Sequence, residues 1–116
     1  MGPPGATGPT GAAAPDFPAQ QLATTAQTAA LTYAAENAGS FVGLTPSVLV
    51  SIDPTIPTAA QPGSPYLSSV IGNATGDTVT VTAPDGDTFS ITDAHSTIVR
   101  SCTNAAGQTA CVNSTW

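Results

Sequence analysis

A run without glycine or proline, residues 19–38, is dense in alanine and glutamine and ends at Gly39, a residue suited to a left-handed cap; it predicts one long helix. Whatever else forms must pack on it. Leu22, Ala26, Ala29, Ala30 and Tyr33 recur at helical spacing as a narrow stripe of mostly small side chains, which lets the rod approach a sheet closely. Tyr33 is its large anchor. Gln20, Thr24 and Gln27 are expected elsewhere on the helix surface.

The remaining length leaves room for one domain, because a chain of 116 residues buries roughly 60–70% of the surface it exposes when unfolded. Its core will be thin. Apolar residues make up 41% of the chain, but much of that is alanine, and aromatics supply only 5%. Burial of such side chains yields little, so an additional constraint is expected.

Charge narrows the function further, since the chain has no lysine, a single arginine at Arg100 and a formal charge of -6. Nucleic acid is not an expected partner: binding phosphates needs several cations in one patch. An anionic membrane surface is disfavoured on the same ground. The longest uninterrupted large-apolar run, residues 48–50, is far too short to span a bilayer.

The first 18 residues read differently from the rest, with Gly2, Gly5, Gly8 and Gly11 in a three-residue period among prolines. One reading is a collagen-like trimerising stem. The other, preferred because the period lapses at Ala14, is a flexible leader or a remnant foreign to the domain, which leaves residues 19–116 as the globular part.

After the helix, Thr45 and Pro46 form a cap and first-turn pair for a short helix through Val48, Leu49 and Ile52, stopped at Asp53-Pro54. Residues 54–65 are predicted as a loop docked by Ile56 and Tyr66. Alternation then marks strands at 78–83 and 88–92, joined by a tight turn at residues 84–87, with a third at 97–102. The fold class is therefore α+β, one N-terminal helix packed on a three- to four-stranded antiparallel sheet.

Cys102 and Cys111 lie close together, with no further cysteine or nearby histidine to complete a metal site, so a disulfide closing a C-terminal loop is expected. Two buried thiols are the alternative. A bridge over so short a loop stabilises by roughly 2–3 kcal/mol and requires an oxidising compartment.

Chemistry is harder to find, because His95 is the chain's one imidazole and sits beside Asp93 and Ser96 in a predicted turn. A solvated turn histidine is the expectation, and no enzyme is expected. Asp85, Asp87 and Asp93 offer hard oxygen ligands at short range, a weak calcium candidate set against ordinary Asp-Gly turn chemistry. No other cofactor is indicated. Asn73 and Asn113 begin glycosylation sequons by pattern alone, and the apolar ring of Trp116 is expected to dock near the disulfide.

Residues 20–53, QQLATTAQTAALTYAAENAGSFVGLTPSVLVSID, resemble the second half of a type IV pilin helix and the start of its αβ-loop, including the Tyr33-to-Phe41 exit. Residues 86–116, GDTFSITDAHSTIVRSCTNAAGQTACVNSTW, resemble the last strands and closing cysteine loop of pilin-like proteins of actinobacterial type, which often finish in Thr-Trp. Together they cover more than half of the chain. The resemblance implies the soluble head of an extracellular pilus or pseudopilus subunit serving adhesion, motility or secretion, with other pilin subunits as partners and the helix residues Leu22, Ala26, Ala29, Ala30 and Tyr33 as a subunit-packing set. The apolar helix half that would reach the membrane is not in this sequence, so the isolated chain is expected to be monomeric. A collagen-stemmed trimeric adhesin is the alternative.

Overall fold

A computed structural model describes residues 10–84, 86–94 and 97–103, with side chains from residue 18 onward. It places α1 at Thr10–Glu36, α2 at Pro46–Ile52, and four strands at Tyr66–Gly72 (β1), Gly76–Thr82 (β2), Thr88–Ala94 (β3) and Thr97–Thr103 (β4). The sheet is a fully antiparallel meander in chain order. One long helix lies on that sheet, which makes the domain α+β.

The helix starts earlier than its composition suggests, since Thr10 to Pro18 already belong to α1 although Pro15 and Pro18 supply no backbone donor to the carbonyls four residues back. Strong helix formers at Ala12, Ala13 and Ala14 offset that loss. The expected flexible leader of residues 1–18 is thus corrected from Thr10 onward. Gly11, the fourth glycine of the period, lies inside the helix and not in an extended stem.

At its other end α1 stops after Glu36, where Ala38 and Gly39 both take positive φ and the Gly39 N–H reaches back to the Ala34 carbonyl at 2.7 Å. Mid-helix threonines are accommodated because Thr24, Thr28 and Thr32 each donate their hydroxyl to the carbonyl four residues before. They mark the solvent side. The opposite side carries Ala19, Ala23, Ala26 and Ala30, all wholly buried, with Ala29 and Ala34 nearly so.

Below the alanines, alternate residues of the sheet point inward: Leu67 from β1, Val79 and Val81 from β2, Phe89 and Ile91 from β3, and Cys102 from β4. These and Phe41, Leu44, Leu49 and Ile56 form a single core. The helix lies mainly over β2 and β3, touches β1 less, and does not reach β4. Ile98 and Arg100 therefore stay exposed although they alternate in phase with buried Cys102.

The outer face of the sheet is built from hydroxyls, with Thr78 bonded to Thr92 (3.0 Å), Thr80 to Ser90 (2.9 Å) and Thr82 to Ser68 (2.9 Å) across the ladders. Such cross-strand pairs reinforce the register. β1 also carries a bulge between Leu67 and Ser69, which moves Leu67 and Val70 out of simple alternation.

The connection between helix and sheet is tied at several points: the Tyr33 hydroxyl donates to the Val42 carbonyl at 2.6 Å, and the Phe41 N–H to the Asn73 carbonyl at 2.9 Å. Gly43, at φ 88°, passes so near that an added Cβ would stand 2.9 Å from the Tyr33 hydroxyl. α2 starts as expected, with Thr45 accepting from the Val48 N–H and proline in the first turn.

Candidate functional site

Four polar side chains are buried among the described residues, and three of them belong to one end of the sheet and the helix above it. Gln27 belongs to the buried alanine stripe of α1, and Asp77 and Asp93 occupy the inward positions at one end of β2 and β3, where the register sets them directly opposite each other. All three are at least nine-tenths buried, with exposures of 5%, 4% and 6%. Gln27 was expected on the helix surface, and that expectation is corrected here.

Local structure brings them together, beginning with the β1–β2 turn, in which the Asn73 side-chain oxygen accepts from the Thr75 N–H, the Thr75 hydroxyl and the Gly76 N–H. This Asx turn delivers the chain to Gly76. A Cβ at Gly76 would stand 1.8 Å from the backbone oxygen of Asp93, so only glycine lets β2 enter the ladder this close to Asp93. Asp77 follows at once.

The Gln27 amide donates from Nε2 to Asp77 Oδ1 at 3.1 Å, which leaves Gln27 Oε1, Asp77 Oδ2 and Asp93 Oδ1 buried with no hydrogen-bond partner. Every orphan is an acceptor. The Asp77 pKa is pushed up to about 6, chiefly by burial, with the bond from Gln27 opposing and the charge of Asp93 adding to the rise. No lysine exists to compensate the pair, and Arg100 lies opposite Ile91 on β4.

A pH dependence follows, because a carboxyl whose folded pKa lies above its unfolded value of 3.8 binds its proton more tightly in the native state. Stability should therefore rise as pH falls from about 7 to about 4, most steeply between about 6 and 4, with no further gain from this group once the unfolded chain also protonates. Asp53, held below the ordinary carboxylate range by donors from Thr55, acts with the opposite sign only at lower pH. Urea melts at pH 7.5, 6 and 5 in a chelating buffer check the direction. A midpoint that falls over that range contradicts the burial of an ionised Asp77.

The other expected site residues are dispersed. Asp87, wholly buried beside the β2–β3 turn, and Asp93 lie at opposite ends of β3, about 20 Å apart at the rise of a strand, so they cannot share the expected calcium ion. Asp85, His95, Ser96, Cys111, Asn113 and Trp116 lie outside the described residues. Cys102 is buried opposite Phe89, and the expected bridge to Cys111 lies outside the described residues with its partner. Among the described residues there is no group of three or more His, Cys, Asp or Glu side chains around one point.

Ala26, Ala29 and Ala30, expected to pack against a neighbouring subunit, are buried against this chain's own sheet, so that role is corrected for them. Leu22 and Tyr33 are partly buried at the border of the same core. Among the described residues, the large apolar side chains left in solvent are Leu31 on α1, Val42 in the loop after it, Ile71 on β1, and Ile98 and Val99 on β4. A shallow groove of about 290 Å³ between α1 and α2 is lined by threonines, Ala29, Ile52 and Asp53.

No protein-family model, curated protein or solved structure matches this chain.

Proposed function

We propose that the chain is the soluble head of a filament subunit of the type IV pilin or pseudopilin kind, an extracellular structural protein whose partners are other pilin subunits. One observation supports this reading above others: a 27-residue N-terminal helix lies by an alanine stripe on a four-stranded antiparallel meander, and a loop pinned to both elements joins them. Small residues bring the rod close to its sheet. The exposed Leu31 and Val42 then remain on the helix and loop, the elements a neighbouring subunit would meet.

In this reading Cys102 and Cys111 form a disulfide that closes the C-terminal loop over a core too thin to hold that end alone. The protein supplies geometry and not catalysis. Adhesion, motility and secretion are all served by such filaments.

Antiserum against the whole chain should label filaments on the surface of the source cells in immunogold electron microscopy. Label confined to the cell interior would sink the proposal. Light scattering on the purified chain separates the alternative, because a collagen-stemmed adhesin is a trimer and a pilin head a monomer. Thiol titration of the unfolded, unreduced protein should find no free sulfhydryl.

A further inference from the structure

We propose that Gln27, Asp77 and Asp93 form a binding site for a hard divalent cation of the calcium class, held between α1 and the ends of β2 and β3. The site does not depend on the filament reading. Its argument is a count of acceptors.

Three buried oxygens, Gln27 Oε1, Asp77 Oδ2 and Asp93 Oδ1, lack any donor, and they sit on side chains that register and a hydrogen bond bring together. Burying a polar atom unpartnered is unfavourable, and burying two like charges on opposed strand positions is more so. Something must answer both. A shared proton would join the two carboxylates but leave the Gln27 carbonyl orphaned and one negative charge in place. A water could reach two of the oxygens and would change no charge. A divalent cation accepts lone pairs from all three and cancels both charges.

The chemistry of the donors selects the ion, since two carboxylates and an amide carbonyl are hard oxygen ligands without sulfur or imidazole. Calcium tolerates the irregular arrangement that a helix and two strands impose, whereas magnesium demands near-octahedral geometry. Waters would complete the shell. This set differs from the hairpin aspartates, because it draws on Asp77 and on a glutamine from the helix.

The test uses the whole chain, stripped with chelator and compared at pH 7.5 in calcium chloride, magnesium chloride and a choline salt of equal ionic strength. Saturating calcium should raise Tm by about 5–10 °C, as ligand linkage requires, with magnesium weaker and choline without effect. Asp93→Asn should abolish the calcium shift, while its Tm in chelator equals or exceeds that of the wild type because a buried repulsion has gone. A purely structural Asp93 would not give that reversal.

Calorimetric titration of the stripped wild type with calcium chloride stands independently of whether the variant folds, and should saturate at one ion per chain. Equal Tm in calcium and choline overturns the proposal, as does a calcium shift that survives Asp93→Asn. Titration without saturation at one ion also overturns it, since it marks diffuse attraction to a chain of net charge -6.

Discussion

Replacing Phe89 with alanine should destabilise the domain by about 3–5 kcal/mol, toward the upper end of that range for this chain. Phe89 is wholly buried on the inner strand β3 near its hairpin end, with Val81 opposite on β2 and Cys102 opposite on β4. What surrounds it decides how much of the loss can be recovered. Leucines or methionines would swing into the hole, but the helix above offers alanines, which have no rotamers to change. The cavity therefore persists. A domain of this size is stable by roughly 5–15 kcal/mol in total, so a urea melt should show a large fall in midpoint at unchanged slope. A loss below about 1.5 kcal/mol would mean that Phe89 is not at the centre of the core.

Gly76→Val is expected to be as damaging, by more than about 3 kcal/mol, for a reason unrelated to hydrophobic burial. The new Cβ would lie 1.8 Å from the Asp93 backbone oxygen and 3.1 Å from the Ala94 Cα. Backbone atoms cannot rotate away, so the β2–β3 ladder must open at the end that holds Asp77 and Asp93. Gly63→Ala is the informative companion, because Gly63 has positive φ but open space around its added Cβ. It should lose only the left-handed backbone penalty, about 1–2 kcal/mol. Thermal melts of the two variants should differ widely, and similar melting points would show that crowding against Asp93 is not what fixes glycine at position 76.

Elements governed by local rules were legible in the amino-acid sequence. The alanine-rich body of α1, the Thr45-Pro46 start of α2 and the β2–β3 hairpin each depend on a few adjacent residues, and each lies where spacing and turn chemistry place it. β1 lies outside the strands expected from the sequence, because its bulge at Leu67/Ser69 breaks the alternation that identifies a strand. Its run of Val70 and Ile71 between Pro65 and Gly72 was the available signal. The early start of α1 was hidden by Pro15 and Pro18, which ordinarily end a helix.

The buried polar cluster was harder to foresee, since it joins residues fifty and sixteen positions apart through register alone. Asp93 attracted notice only for its neighbours in the chain, and Asp77 attracted none. Gln27 looked like a surface residue because glutamine usually is one. Its spacing of four from Ala23, on the buried stripe, was the sign that it faced inward.

The alanine-rich underside of α1 also bears on how the protein is made. Each strand pairs with the next in the chain, so the sheet assembles by closing short loops, and the helix alone must find distant partners. During synthesis that helix emerges before the strands it will cover exist. A leucine-lined underside would be adhesive throughout the wait. Methyl groups offer other chains little to hold, so a helix made ahead of its strands can safely remain bare until the sheet arrives.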